Sequence, residues 1–328
     1  MGETNGIKRP VIFIVESGGL CGGVRVILEE ALRLSQRGWN VCIYSIGREP
    51  HWFPMPPDMW RKFQDYEHLK TVLVAEDGWK VATWWKTAQV VNECLRGDEG
   101  CYLVQDIEVE YYSAPRMKEM VMATYDLPLR KYTTSRWVEA NLPDTTWVGI
   151  GLDLDLYRPL ELERDPATVL AFPRKQRLKG FRQLGELSRR LGQNISLVTV
   201  GVMPIQLGGA WKRHYTGLPD REIVRLYNQI ACFVSTTLHE GFGLPHIEAM
   251  ACGTPVITTD ANGNMTFCED GKNCLVYDGD DMAGMAMGVH RVLTDEALWK
   301  SLARHGLETA AEYPWGPVID RLEAFLLA

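Results

Sequence analysis

Short apolar runs alternate with stretches of helical periodicity along the whole chain, and this alternation constrains the fold more than any other feature. In the first half, the apolar run VIFIVE (11–16) precedes a glycine-rich turn, SGGLCGG (17–23), and a helical pattern over 24–36. In the second half, an apolar run at 168–172 precedes a basic loop and a helical pattern over 181–191. Strands that alternate with helices form parallel sheets covered on both faces. The sequence therefore predicts an α/β protein.

The other predicted elements follow the same alternation. In the first half, strands are predicted at 41–46, 71–74, 81–84, 102–105 and 130–134, and helices at 86–95 and 109–120. In the second half, strands are predicted at 196–200, 232–235 and 255–258, and helices at 221–230, 244–250, 280–292, 295–311 and 316–327. Ligands of open parallel sheets bind beyond the carboxyl ends of the strands. The loops at those ends are therefore the candidate sites.

Composition limits the possible partners. The chain has 328 residues, enough for about two domains, and its net charge is −7, most of it in the first half. Proteins that bind nucleic acid or anionic membranes electrostatically normally have a positively charged surface, not a net negative charge. No apolar run approaches the roughly 18 residues that span a bilayer, and the first residues lack the pattern of a signal peptide. Eight cysteines without a Cys-x-x-Cys pair indicate reduced thiols and a cytoplasmic protein.

The segment 235–258 contains the strongest functional pattern. Glu240 and Glu248 bracket a turn before a predicted helix, and the turn consists of Gly241, Phe242, Gly243 and Leu244. Glycine lets a backbone approach a ligand closely, and the N–H groups at a helix start attract phosphate. Carboxylates accept hydrogen bonds from hydroxyls. The segment therefore predicts a site for a phosphorylated, hydroxyl-rich ligand.

A basic loop, FPRKQRLKGF (172–181), follows the strand at 168–172. Arg174 and Lys179 are the cations favoured as ligand-binding groups, whereas Lys175 and Arg177 suit a solvated loop equally well. An arginine fork and a compact lysine charge both bind phosphate oxygens. In a chain with a net negative charge, this loop predicts contact with a diphosphate.

Two features of the first half are candidates for ligand contact. The turn with Gly18, Gly19 and Gly22 lacks the Gly-x-Gly-x-x-Gly spacing of a dinucleotide site. It serves either tight packing or ligand approach to a helix N-terminus. Gln105 and Asp106 end a predicted strand, and Asp106 could equally cap a helix.

Two aromatic segments and the possible metal ligands complete the candidates. The segment 51–60 and the pair Trp84-Trp85 suit a core, a sugar platform or a partner contact. The seven histidines are scattered, and no metal-ligand spacing stands out. No metal site is predicted.

These motifs resemble those of the retaining glycosyltransferases of family 4. Glu240 and Glu248 are similar to its Glu-x7-Glu motif, and RKQRLKG places Arg174 and Lys179 in register with its Arg-x4-Lys-Gly motif. The glycine turn at 17–23 with its helix, and the segment IGLDLDLYRP (150–159), resemble the opening and the end of the family's first domain. The resemblance therefore covers nearly the whole chain.

The resemblance implies a GT-B fold, with two facing Rossmann-like domains and a C-terminal crossover helix. The first domain would comprise residues 1–160 with the helix at about 316–328, and the donor domain would comprise 161–315. The reaction implied is transfer of a sugar with retention, independent of metal and of any cofactor besides the nucleotide-sugar donor. The nucleotide, UDP, GDP or dTDP, stays open.

The resemblance also implies roles for single residues. Arg174 and Lys179 would neutralise the leaving diphosphate, Glu248 would bind the ribose, and Glu240 would hold hydroxyls of the donor sugar. Backbone amides of the turn, from Gly241 through Phe242 and Gly243 to Leu244, would approach the sugar and the phosphates. The diphosphate or acceptor side would be lined by Gly18, Gly19 or Gly22.

The chain departs from the family pattern in one place. Many members have a histidine where this chain has Gln105 and Asp106, which puts the usual sugar contact in doubt and favours a different donor sugar. The Gln-Asp pair and Trp84-Trp85 resemble a rhamnosyltransferase-like subset. Open alternatives are a nucleotide-sugar epimerase or hydrolase on the same fold and a non-catalytic nucleotide-sugar-binding protein. The acceptor is open among a glycan, a lipid-linked sugar, a small molecule, a protein and a hydroxylated base in DNA, and attachment to the inner membrane face is also open.

Overall fold

The computed structural model describes residues 8–328, which pack as two compact units. The first unit contains the described residues up to Ile150 together with Gly316–Ala328, and the second contains Gly151–Trp315. The segment 151–160 therefore packs with the second unit and not, as predicted, with the first. The physical reason is its backbone pairing, since the Leu152 amide donates to the Tyr313 carbonyl at 2.7 Å.

The first unit is built on a seven-stranded parallel sheet. Its strands are β1 (Val11–Val15), β2 (Val41–Ser45), β3 (Trp60–Lys62), β4 (Trp79–Ala82), β5 (Gly100–Leu103), β6 (Arg130–Thr133) and β7 (Thr145–Trp147). Their order is β3-β2-β1-β4-β5-β6-β7. Its first five helices are α1 (Gly22–Gln36), α2 (Tyr66–Leu73), α3 (Trp85–Glu93), α4 (Pro115–Tyr125) and α5 (Arg136–Asn141). The order reverses direction between β1 and β4, so a switch point lies at the carboxyl ends of these two strands.

The second unit is built on a six-stranded parallel sheet. Its strands are β8 (Asp165–Ala171), β9 (Ser196–Gly201), β10 (Trp211–Thr216), β11 (Ile230–Ser235), β12 (Val256–Thr259) and β13 (Cys274–Tyr277), in the order β10-β9-β8-β11-β12-β13. Its helices are α6 (Phe181–Arg190), α7 (Asp220–Gln229), α8 (Leu244–Ala251), α9 (Met282–Thr294) and α10 (Glu296–Ala310). Here the switch point lies between β8 and β11, and each unit has its own buried apolar core.

The last helix, α11 (Trp315–Leu327), packs against the first unit although it follows the second in sequence. Glu323 anchors it, because its two carboxylate oxygens accept hydrogen bonds of 2.6 Å from Trp39 Nε1 and Arg37 Nη1. Burial alone would raise the pKa of Glu323, but the hydrogen bonds from Trp39 and Arg37 outweigh it and lower that pKa.

Two predicted elements of the first unit are wrong. The residues 71–74, predicted as a strand, form the last turn of α2 and its C-cap, because the Asp65 side chain caps the His68 amide at 2.8 Å and Leu69 and Leu73 bury one helical face. The predicted helix at 109–120 is divided into a short helical turn, 108–111, and α4. The division occurs at Pro115, which starts a helix well but disfavours helical geometry in the residue before it.

A fully buried carboxyl lies inside the first unit. Glu30, on α1, accepts a hydrogen bond of 2.9 Å from the Tyr132 hydroxyl through Oε2. Its Oε1 has no hydrogen-bond partner among residues 8–328. Burial raises the pKa of Glu30 to about 8, although the Tyr132 hydrogen bond acts in the opposite direction. Glu30 is therefore protonated in the folded protein at neutral pH.

We expect Glu30→Gln to change how stability depends on pH. The folded-state pKa of Glu30 lies above the unfolded value, so the stabilisation present below about pH 4.5 is lost as pH rises towards 8. The amide cannot ionise, so the variant should melt at a higher temperature than the wild type at pH 8 and at a similar temperature at pH 5. Thermal unfolding at both pH values tests this, with the exposed Glu119→Gln as control. Identical pH profiles for wild type and Glu30→Gln would contradict the pKa assignment.

Candidate functional site

The predicted donor residues of the second unit lie in loops at its switch point. The basic loop follows β8, and the segment with Glu240 follows β11. These strands are hydrogen-bonded neighbours in the sheet, so both loops leave the same edge side by side. Such an edge is where open parallel sheets bind ligands.

Lys179 and Glu240 form an ion pair in which Lys179 Nζ lies 2.8 Å from Glu240 Oε2. The same ammonium donates to the His239 carbonyl at 2.9 Å, and Glu240 Oε1 accepts from Thr237 Oγ1 at 3.1 Å. The side chains are 10% and 24% exposed, respectively. Both charged groups are thus fixed in direction while part of the carboxylate stays open to solvent.

Gly180 joins the two loops. It has a φ of +63°, and a Cβ at this position would lie 1.7 Å from the Thr236 carbonyl oxygen. The Thr236 hydroxyl donates to the Gly180 carbonyl at 2.9 Å, and the Leu238 amide donates to the Leu178 carbonyl at 2.8 Å. Glycine is needed here because any side chain would force the loops apart.

The turn before α8 presents a helix start without a side-chain cap. Gly243 occupies the N-cap position with a φ of +100°. Because glycine has no side chain, it cannot cap the first amides of α8. His246 lies buried below the turn, with Nδ1 3.1 Å from the Gly243 carbonyl and Nε2 2.8 Å from Thr258 Oγ1. A carbonyl can only accept, so Nδ1 carries the proton. Burial lowers the pKa of His246, which stays neutral and braces the turn.

Glu248 lies on α8, the helix that follows the glycine turn. It is 6% exposed, and its Oε2 lies 3.1 Å from the Tyr227 hydroxyl. Burial and the neighbouring carboxylate raise the pKa of Tyr227 well above its ordinary value, so Tyr227 remains a donor. The Tyr227 ring packs against Phe172 and Phe233, which fixes the hydroxyl that orients Glu248.

Arg174 is exposed and makes no hydrogen bond or ion pair with any other part of the chain from residue 8 onward. The structure therefore distinguishes the two cations favoured from the sequence. Lys179 is held in place by Glu240, whereas Arg174 is available to a ligand without first breaking a contact.

Two functional-site residues were missed from the sequence. Asn262 has a φ of +67° and donates from Nδ2 to His239 Nδ1 at 2.9 Å. Gly263 donates its amide to the Glu240 carbonyl at 2.9 Å, and a Cβ there would lie 2.0 Å from the Gly241 carbonyl oxygen. The dipeptide Asn-Gly signals a turn, but only the fold shows that this turn supports Glu240.

The glycine turn of the first unit lies after β1, at that unit's switch point. A Cβ at Gly18 would lie 2.6 Å from the Pro50 backbone nitrogen, and the Gly18 carbonyl accepts from Trp52 Nε1 at 2.8 Å. Close packing against Pro50 therefore explains why residue 18 is a glycine. Gly19 has more room, since its nearest neighbour would be an Arg48 nitrogen at 3.5 Å. Gly22 is the first residue of α1, which has no side-chain cap.

Gln105 and Asp106 follow β5 in the first unit. The Gln105 amide packs against Gly23, where a Cβ would lie 3.3 Å from Gln105 Oε1. Asp106 accepts from the Ile107 amide at 2.8 Å and from the Tyr111 hydroxyl. Asp106 thus anchors an aromatic residue and does not cap a regular helix.

The described residues contain neither a metal-binding cluster nor a membrane-spanning helix. No group of three or more His, Cys, Asp or Glu side chains in residues 8–328 is placed to hold a metal ion. Within the same residues, no helix combines the length and apolar character needed to cross a bilayer.

Comparison with known proteins connects the second unit to a family. Residues 157–309 match the family model described as glycosyl transferases group 1. The chain is 35% identical over 160 residues to the serotype-specific mannosyltransferase WbdA of Escherichia coli, covering 48% of this chain and 17% of that protein. It is 29% identical over 205 residues to D-inositol 3-phosphate glycosyltransferase 1 of Catenulispora acidiphila, covering 53% and 49%. The chain thus spans about half or less of the length of these curated relatives.

Solved structures resemble nearly the whole chain. Sucrose-phosphate synthase from Thermosynechococcus elongatus matches with a TM-score of 0.78 at 19% identity, covering 96% of this chain and 97% of that one. Anabaena Alr3699/HepE in complex with UDP-glucose matches with a TM-score of 0.80 at 16% identity, covering 97% and 99%. The predicted fold class, GT-B with two parallel-sheet Rossmann-like units, is confirmed. The matched region 157–309 also agrees with the predicted enzyme class, a glycosyltransferase.

Proposed function

We propose that the protein is a retaining glycosyltransferase of family 4 that moves a sugar from a nucleoside diphosphate to an acceptor hydroxyl without a metal. The observation that carries this proposal is the Lys179–Glu240 ion pair at the switch point of the second unit. It holds a cation for a leaving diphosphate and a carboxylate for sugar hydroxyls within 2.8 Å of each other. Exposed Arg174 and the uncapped start of α8 add further groups for anionic oxygens.

The reaction that suits these groups depends on stabilising the leaving group. The bond between the anomeric carbon and the diphosphate oxygen breaks, and the electron pair stays on that oxygen. The acceptor oxygen bonds to the anomeric carbon on the same face, and its proton passes to the departing diphosphate. Lys179 and Arg174 oppose the charge that develops on the diphosphate. Preorganised charges of this kind supply a large part of catalysis without any protein nucleophile.

Glu240 and Glu248 receive different tasks in this proposal. Glu240 keeps a partly exposed carboxylate beside the cation, which suits hydroxyls of the donor sugar. Glu248 is more deeply buried and oriented by Tyr227, which suits the two hydroxyls of a ribose. The backbone amides near Gly243 would face the phosphates between them.

We expect Glu248→Gln to weaken nucleotide binding about 10-fold to 100-fold, because a hydrogen bond to a charged group contributes roughly 1.5–3 kcal/mol. The amide keeps the size of the side chain, so the melting temperature without ligand should change little. Isothermal titration with the nucleoside diphosphate measures the effect. The matched control is Glu269→Gln, an exposed carboxylate of the same unit that pairs with Lys272. Equal affinities for both variants would remove Glu248 from the donor site.

A donor panel tests the proposed function directly. UDP, GDP, dTDP and ADP sugars should differ in how far they raise the melting temperature, since a ligand that binds only the folded state stabilises it. Incubating the best donor with candidate acceptors should give a new glycosidic bond with the anomeric configuration of the donor, and chelator should leave the rate unchanged. A 2-epimer or free sugar as the main product would favour the epimerase or hydrolase alternative. Binding without any turnover would favour the non-catalytic alternative.

We also propose that the protein acts in the cytoplasm. All eight cysteines are free, and six of them are buried, as is usual in a reducing compartment. Cell fractionation tests this location, and recovery with the inner membrane would instead support peripheral attachment there.

A further inference from the structure

A pair of aromatic rings lies at the carboxyl edge of the first unit's sheet. Trp84 follows β4 and is half-buried, and Tyr111 follows β5 and is 38% exposed. Their ring centroids are 6.3 Å apart with the planes inclined by 41°. Because β4 borders the switch point, these rings lie where a ligand of this sheet would bind.

The backbone on both sides of Trp84 is fixed by buried groups. Thr87 Oγ1 accepts from the Thr83 amide at 2.9 Å and from the Trp84 amide at 3.0 Å. The buried Glu108 carboxylate accepts from the Trp85 amide at 2.8 Å. Trp84 is therefore held at the rim, and its side chain is the part of this turn that reaches solvent.

The turn that carries Tyr111 is fixed in the same way. The Glu108 amide donates to the Tyr125 hydroxyl at 2.8 Å, and Trp85 Nε1 donates to the Tyr112 hydroxyl at 2.9 Å. The Tyr111 hydroxyl donates to Asp106. Both rings are therefore held on a framework that is already ordered before a ligand binds, which favours affinity.

The polar groups around the rings offer both donors and acceptors. Lys86 Nζ lies 2.9 Å from Glu16 Oε1, and these side chains are 44% and 42% exposed. Gln105 and Asp106 follow the neighbouring strand β5. A neutral polyhydroxylated ligand needs this mixture of donors and acceptors. The negative charge of the buried Asp106 disfavours a phosphate beside the rings, and a cation is disfavoured because Glu16 is already paired with Lys86.

We propose that Trp84 and Tyr111, the second of which is anchored by the buried Asp106, form a binding platform for a pyranose ring of a neutral glycan acceptor. The faces of the two aromatic rings contact the apolar C–H face of the sugar. The surrounding polar side chains, Glu16, Lys86 and Gln105, hydrogen-bond to its hydroxyls. That the bound sugar is an acceptor rests on the proposed transferase function. Binding of the sugar ring to Trp84 and Tyr111 does not itself require transfer.

Ligand-detected NMR on the full chain tests the platform. The probes are methyl α-D-mannopyranoside, methyl α-D-glucopyranoside and methyl α-L-rhamnopyranoside, with choline chloride and inorganic phosphate as competing chemistries. At least one glycoside should bind, and Trp84→Ala and Tyr111→Ala should each weaken it about tenfold, which corresponds to about 1.4 kcal/mol. Tyr111→Phe retains the ring and should bind more tightly than Tyr111→Ala. The control Met122→Ala, an exposed apolar residue of the same unit, should bind as the wild type does.

Parallel melting curves with nucleoside diphosphates separate the two proposals. If the glycoside binds through Trp84 but no nucleotide shifts the melting temperature, the platform stands and the transferase proposal fails. If nucleotides bind and no glycoside does, or if both ring variants bind the glycoside as the wild type does, the platform is wrong. Preferential binding of choline or phosphate at Trp84 would also overturn it.

Discussion

Replacing Lys179 by alanine is expected to slow sugar transfer about 10²-fold to 10³-fold, the usual effect of removing one preorganised group that stabilises charge in the transition state. The Lys179 ammonium is already fixed by Glu240 and the His239 carbonyl, so no reorganisation accompanies the departure of the diphosphate. Single-turnover kinetics with the best donor of the panel measure the chemical step, and circular dichroism checks that the fold is retained.

The same basic loop supplies the control for this prediction. Lys175 is exposed and lies four residues earlier, and Lys175→Ala removes the same charge from the loop. If the position of the cation matters, Lys175→Ala should change the rate by no more than about twofold, because exposed charges are largely screened by solvent. Equal losses in both variants would mean that the loop acts only through its total charge. Wild-type turnover by Lys179→Ala would refute its role in leaving-group stabilisation.

The elements around the second unit's switch point could be predicted because their signals are local. Strands β8 and β11 are apolar runs, since parallel strands are buried on both faces. The turn before α8 contains a glycine that takes a positive φ. The strand β10 was missed because its sequence, WKRHYT, is polar and lies at the sheet edge, where one side has no partner strand.

The contacts that build the site could not be predicted because they join distant parts of the chain. Nothing local in the sequence indicates that Lys179 pairs with Glu240, that Asn262 holds His239, or that Tyr227 orients Glu248. The apolar pattern shows which residues are buried, but the register between neighbouring loops depends on the whole sheet. The role of the aromatic segment at 51–60 could not be predicted for the same reason. Its last residue, Trp60, starts β3, which pairs with the sheet only at its edge.

Replacing Gly180 by alanine is expected to destabilise the second unit by about 3 kcal/mol or more, because the added methyl would overlap backbone atoms and not a movable side chain. A Cβ at Gly180 would lie 1.7 Å from the Thr236 carbonyl oxygen and 2.5 Å from its carbonyl carbon. The strain can be relieved only if the loop after β8 moves away from the loop after β11. For a unit of this size, the melting temperature should fall by roughly 6–12 °C.

Gly192→Ala isolates the steric part of this effect. Gly192 also has a positive φ, +79°, but a Cβ there would meet no atom within 4 Å. This control should lose only about 1–2 kcal/mol, the strain of an L-residue in the left-handed region. Lys179 precedes Gly180, so separation of the loops would also pull the ammonium from Glu240. Activity of Gly180→Ala, assayed well below its melting temperature, should therefore fall towards that of Lys179→Ala, whereas Gly192→Ala should keep wild-type activity. Equal melting temperatures and activities for the two glycine variants would show that Gly180 does not join the loops.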